Sequence, residues 1–186
     1  NVSNINVTMG YPLKNSNIFS FFYLLLQIHS KNQTSFYYKY ILSILSHELI
    51  SPILNKGTDI CQVIKKENLI YMTKEEITEI DGVNKNIYKL LFSKWKDAND
   101  AISYSLQLID HIKKYYSKYS ENDFINLELL YAINLIFMQI KILIEKYDYL
   151  KNINSLRVIF KELCAISSTP FNGEPIKGLQ IMGMLE

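Results

Sequence analysis

The sequence predicts a mainly α-helical, bundle-like fold flanked by two short terminal strands. Three observations lead there. From about residue 17 to residue 167, apolar side chains recur at three- and four-residue steps. Strict alternation with β-branched residues occurs only near the ends, at Ile5-Asn6-Val7-Thr8-Met9 and Gly178-Leu179-Gln180-Ile181-Met182-Gly183-Met184-Leu185. Helix-start chemistry stands where the periodic runs begin.

Taken in order, the first strand is broken by Gly10, and Pro12 with Lys14-Asn15-Ser16 forms a connector whose Asn15 or Ser16 caps a helix over 17–30. Ile18, Phe21, Phe22, Leu25, Leu26 and Ile28 make its broad apolar face. After a polar loop a second helix is expected over 36–49, stopped by Pro52. Residues 53–68 read poorly, with Gly57 as a break and a helix of about two turns after Thr58. Thr73 with Glu76 is a capping-box pattern, so a short helix should run to Ile80, followed by another over 84–95. Two long helices are expected over 97–119 and 122–147, the second capped by Asn122 or Asp123. Ile102, Leu106, Ile109, Ile112 and Tyr116 give the first a single stripe, whereas the second is apolar nearly all round and should be the central helix. Asn134, Gln139 and Lys141 interrupt it, which places it below the requirement for a membrane span. A last helix over 154–167 buries Leu156, Ile159, Phe160 and Leu163 before residues 168–175 turn the chain into the final strand.

Strands at both ends with helix between them are what an excised helical insertion with a margin of its host sheet would show, because neither strand has further strands to pair with. Asn1, not a methionine, agrees with that expectation. The expected organisation is residues 1–14 as a strand and connector from the host, 15–170 as the helical insertion, and 171–186 as a turn and returning host strand.

Charge and composition exclude more than they assign. Twenty basic against 18 acidic side chains leave a formal charge of +2, so any basic surface must be local. Cys61 and Cys164 have no partner at ligand spacing, so neither a disulfide framework nor a zinc site is expected, and a reducing, cytoplasmic setting without a membrane fits. No phosphate-binding glycine loop occurs, and no metal or cofactor is expected. His29, His47 and His111 are dispersed on predicted helices, and Glu75-Glu76 and Asp97 with Asp100 sit where helix starts favour carboxylates. No catalytic residue is therefore assigned. Lysine and tyrosine interleave in Tyr37-Tyr38-Lys39-Tyr40 and in residues 113–119, a pattern that can bind phosphates and stack bases but that also arises when tyrosines rim a core.

The ends carry a resemblance. The stretch Asn172-Gly173-Glu174-Pro175-Ile176-Lys177-Gly178-Leu179-Gln180-Ile181-Met182-Gly183-Met184-Leu185-Glu186 resembles the strand known as motif V in the second motor domain of AddB-like helicase–nuclease proteins, which end in a PD-(D/E)XK nuclease domain. Ile5-Asn6-Val7-Thr8-Met9-Gly10-Tyr11-Pro12-Leu13 is similar to the strand and turn leading into their helical 2B insertion, and residues 36–45 to the next helix of that insertion. Where active motors carry a threonine and a histidine in motif V, Gly183 and Leu185 stand here, as in a region that has lost its motor. The resemblance implies a helical subdomain of a DNA repair or recombination protein that shapes the DNA path and packs on the remainder of its parent chain and a helicase–nuclease partner subunit. Nuclease and phosphate-loop residues would lie elsewhere in that parent. Lys113, Lys114 and Lys118, with Gln180 of the last strand, become the candidate nucleic-acid contacts, and a helical protein-interaction module is the alternative.

Overall fold

A computed structural model of the chain describes residues 5–8, 10–31, 34–54, 57–81, 83–119, 124–169 and 179–182. It is mainly helical: α1 (Asn17–His29), α2 (Tyr38–Leu45), α3 (Gly57–Glu67), α4 (Lys74–Ile80), α5 (Lys85–Phe92), α6 (Ala98–Tyr119), α7 (Phe124–Lys146) and α8 (Ile153–Ile166). Among the described residues there are also six short strands: β1 (Ile5–Thr8), β2 (Tyr11–Pro12), β3 (Ser35–Tyr37), β4 (Tyr71–Thr73), β5 (Ser168–Thr169) and β6 (Leu179–Met182). They form three separate pairs, β1 with β6 in parallel, β2 with β5 and β3 with β4 antiparallel.

Local chemistry explains the helix starts. Ser16 Oγ accepts the Phe19 N–H at 3.0 Å and so caps α1. At α4, Glu76 N–H reaches Thr73 Oγ1 at 3.3 Å while Thr73 N–H donates to Glu76 Oε2 at 2.7 Å, the reciprocal capping box expected. Asp97 Oδ1 accepts the Asp100 N–H, and Asp100 Oδ2 accepts the Lys96 N–H, at the start of α6. The expected caps of α7, Asn122 and Asp123, lie outside the described residues, as do 171–178 and 183–186 of the C-terminal motif. Helix α3 ends at Glu67 and is followed by Asn68, whose φ of 50° is the left-handed conformation asparagine tolerates, and the Leu69 N–H then reaches back to Ile64 O at 3.1 Å.

The central helix is α1, not α7. Ile18, Phe21, Phe22, Leu25 and Leu26 are fully buried, and α1 packs against α8, α7 and α2. An aromatic ladder binds three of these helices: Phe22 meets Phe137 of α7 edge-on at 5.4 Å, Phe137 stacks on Phe160 of α8 at 4.9 Å, and Phe160 stacks on Phe19 at 5.5 Å. Helix α7 buries Ile133, Phe137, Ile140 and Ile144 against α1, α6 and α8 but leaves Tyr131, Leu135, Met138 and Ile142 in solvent. Its apolar character all round therefore reflects two faces, one of them outward. Ile125–Lys146 also meets the length and composition of a membrane span, against the expectation from its three polar interruptions.

Two further corrections concern boundaries. The helix expected over 36–49 begins at Tyr38, because residues 35–37 pair with 71–73 and Phe36 faces the core while Ser35 and Tyr37 are half-exposed. After Leu45 the chain continues in turns, with Leu49, Ile50, Ile53 and Leu54 buried. The helix expected over 84–95 stops at Phe92, and Trp95 is buried from the extended segment that follows.

The two ends of the helical body meet. Leu13 N–H donates to Ser167 O at 3.0 Å, and β2 pairs with β5 beside it. Gly10 lies so close to Ser168 that a Cβ there would sit 2.7 Å from its Oγ and 2.9 Å from its Cβ, which is why a glycine is needed. Beyond that, β1 and β6 run parallel with Ile5 opposite Leu179 and Thr8 opposite Met182.

Candidate nucleic-acid interface

Lys113, Lys114 and Lys118 are exposed on the C-terminal half of α6. Lys114 and Lys118 are one turn apart and share a face. Asp110 is exposed one turn earlier and neighbours both Lys113 and Lys114, so the stripe is not uniformly basic. Tyr115 and Tyr116, interleaved with these lysines, are committed elsewhere. Tyr115 donates to Pro52 O at 2.7 Å, and the Tyr116 hydroxyl, buried, lies 3.3 Å from Leu49 O, tying α6 to the turns after α2. Gln180 sits on a different element, in β6 opposite Asn6.

The second interleaved cluster behaves differently. Pairing of β3 with β4 sets Tyr37 opposite Tyr71, with ring centroids 5.6 Å apart, and Tyr37 also contacts Tyr38 at 4.8 Å and Tyr40 at 6.0 Å. Tyr71 is 57% exposed. Lys31 lies over the Tyr40 ring at 5.2 Å. Next to this cluster a hollow of about 500 Å³ is bordered by Tyr37, Tyr38, Ile64, Lys65 and Ile70. A second hollow of about 380 Å³, bordered by Leu42, Ser46, Cys61 and Gln62, also meets Lys65, so the two adjoin along α2 and α3. Among the described residues no carboxylate borders either. Tyr71 and Lys65 are remote in sequence from residues 37–40; the β3–β4 pairing brings Tyr71 there, and the packing of α3 on α2 brings Lys65.

Acid–base and nucleophilic chemistry is poorly served by the described residues. His29 is buried, its Nε2–H donating to Leu91 O at 2.8 Å and its ring stacked on Trp95 at 3.8 Å; burial pushes its pKa down to about 4, with the Leu91 bond opposing. His47 Nε2 lies 3.2 Å from Ser20 Oγ, the one serine–histidine approach of note. Its Nδ1, however, accepts the Leu49 N–H at 3.2 Å, so in the neutral ring Nε2 carries the proton and cannot take one from the serine. Burial lowers the His47 pKa and the Glu48 charge partly offsets this. Burial raises the Cys61 thiol, with Lys65 opposing, and pushes the Cys164 thiol up to about 12, so both stay protonated near neutrality. Asp81 is buried; that burial alone would raise its pKa, but bonds from Asn84 Nδ2, the Tyr88 hydroxyl and Val83 N–H hold it below the usual range. Its role is to anchor α5 to the end of α4. Among the described residues no group of three or more histidine, cysteine, aspartate or glutamate side chains is placed to hold a metal ion.

A cleft of about 430 Å³ lies where α1, α7 and the β2–β5 pair meet, with Tyr11, Asn17, Glu48, Asn126, Glu128 and Thr169 on its walls. Asn17 Nδ2 spans it to Asn126 Oδ1 at 3.4 Å. Among the described residues neither lysine nor histidine borders it. Comparison with protein-family models, curated proteins and solved structures gives no match.

Proposed function

We propose that this chain is a non-catalytic helical subdomain of a DNA repair or recombination protein of the AddB-like helicase–nuclease kind, shaping the DNA path and packing on the rest of that protein in the cytoplasm. The observation that carries the reading is the parallel pairing of β1 with β6. These strands bracket the whole helical body in sequence yet lie side by side, as the entry and exit of an insertion must. Parallel pairs occur almost only within larger covered sheets, and two such strands alone are a marginal structure, so further strands of a host protein complete them. ATP-binding and nuclease residues belong to other parts of that host.

The DNA-contacting role draws on two surfaces. Lysines 113, 114 and 118 supply point charges for phosphates, and the Tyr37–Tyr71 cluster with Lys65 supplies open rings beside a cation. The test is binding of fluorescein-labelled single-stranded and duplex DNA by anisotropy across a salt series. Replacing the three lysines with alanine is expected to lower the slope of log affinity against log salt by about two to three, at 0.7 to 0.9 per phosphate contact. Tyr71→Ala is expected to weaken single-strand binding by roughly fivefold or more while leaving that slope alone. DNA binding that is absent at low salt, or unchanged in both variants, refutes the reading in favour of a protein-interaction module.

A further inference from the structure

We infer that the outward face of α7 is a docking seam for one amphipathic helix of another polypeptide, carrying lysine or arginine at both ends of its apolar stripe. The spacing says that the occupant is a helix. Along α7, Glu128, Tyr131, Leu135, Met138, Ile142 and Glu145 follow one another at steps of three, four, three, four and three, the a/d repeat of a left-handed helix pair. All six are exposed, and the four apolar members are 60%, 44%, 46% and 65% accessible. The opposite face of the same helix already fills the core through Ile133, Phe137, Ile140 and Ile144, so the outer seam is surplus to folding. A contiguous apolar stripe of this kind on a surface marks an interface.

The glutamates say which helix. Each occupies a seam position at one end of the stripe. A second copy in parallel would set Glu128 against Glu128 and Glu145 against Glu145; an antiparallel copy would set Glu128 against Glu145. Either orientation places like charges across the seam, so self-pairing is disfavoured. A bilayer is equally poorly matched, since Glu128, Lys141 and Glu145 lie on the exposed side of this helix. A partner whose apolar a/d residues end in lysine or arginine satisfies both the stripe and the carboxylates.

The probe is a fluorescein-labelled 21-residue helix-forming peptide with leucine at its central a and d positions and lysine at the terminal ones, compared with the same peptide ending in glutamate. Anisotropy titration with the full chain is expected to show the lysine-ended peptide binding about tenfold more tightly or better. Leu135→Glu should abolish that binding with the circular dichroism and urea midpoint unchanged, because Leu135 is outside the core. The double variant E128K/E145K should reverse the preference toward the glutamate-ended peptide. Equal affinity for the two peptides, no binding of either, or indifference to Leu135→Glu overturns the proposal. So does self-association of the chain, or binding to phosphatidylglycerol vesicles, that Leu135→Glu removes.

Discussion

Acidification should destabilise this protein through His29. The imidazole is neutral in the folded state, donating one N–H to Leu91 O and lying flat against Trp95 with the rings 15° from parallel, and its other neighbours include the edge of Phe36. Its pKa falls from 6.5 to about 4 because burial penalises the charged ring. In the unfolded chain the ring charges freely at its ordinary value. A folded pKa below the unfolded one means that the unfolded state binds more protons between the two values, so the stabilisation is fully present above pH 6.5 and is lost as pH falls toward 4. At 1.36 kcal/mol per pH unit, the 2.5-unit gap amounts to about 3 kcal/mol in the limit and about 2.5 kcal/mol at pH 4.5. That is a sizeable share of the 5–15 kcal/mol typical of a domain.

Urea unfolding followed by the fluorescence of Trp95, the sole tryptophan, reads this directly. Asp81 and His47 titrate with the same sign, so the wild-type curve alone does not isolate His29. The discriminating measurement is the difference between wild type and His29→Gln at pH 7.5 and 4.5. Glutamine keeps a donor within reach of Leu91 O but cannot charge. The variant should be less stable at pH 7.5, having lost the stacked ring, and should lose about 2.5 kcal/mol less than wild type on acidification. Parallel pH dependences in the two proteins would show that His29 does not carry the transition and that the burial argument is wrong.

Other substitutions probe separate parts of the fold. Asp81→Ala should cost about 2–4 kcal/mol by urea denaturation, because it leaves the Tyr88 hydroxyl and the Asn84 amide without their acceptor. Phe137→Ala removes the middle rung of the ladder joining α1, α7 and α8, with an expected loss of about 3–5 kcal/mol in the same assay. Thr73→Ala breaks the capping box of α4 at about 1 kcal/mol, and a double-mutant cycle with Glu76→Ala should show non-additivity, since each residue satisfies the other's backbone N–H. Gly10→Val should raise hydrogen exchange of the β2–β5 pair, because its Cβ collides with the Ser168 side chain.

Where neighbours in sequence dictate the outcome, the fold was legible. The capped starts of α1 and α4 follow from Ser16 and from Thr73 with Glu76, and the stripe of α6 from its three- and four-residue spacing. What escaped depended on residues far away. Tyr37 reads as the first turn of a helix until Tyr71 is known to lie opposite it, and aromatic residues favour either state. The outward seam of α7 escaped because hydropathy counts apolar residues without saying what covers them; its two sets at four- and three-residue steps are interleaved, and only packing against α1, α6 and α8 decides which set is inside. Of the candidate contacts, the exposure of the lysines on α6 followed from their side of the stripe, but the fate of the tyrosines between them did not.

Those tyrosines bear on how an interface should be sought in a chain with 14 of them. Ring and hydroxyl have separate demands, and a buried hydroxyl must find an acceptor. Tyr88 finds Asp81, and Tyr115 and Tyr116 find the carbonyls of the turn at residues 48–52; each is thereby fixed as a strut between elements. Tyr71 is mostly in solvent on a three-residue strand, and its ring lies against that of Tyr37, 5.6 Å away. A ring supported from one side and open on the other is pre-organised to stack a planar ligand, whereas a strut is not. The same lysine–tyrosine interleaving therefore leads to different packing: Tyr115 and Tyr116 are tied by their hydroxyls to the turn at residues 48–52, whereas Tyr37 is held by ring contacts to Tyr38, Tyr40 and Tyr71.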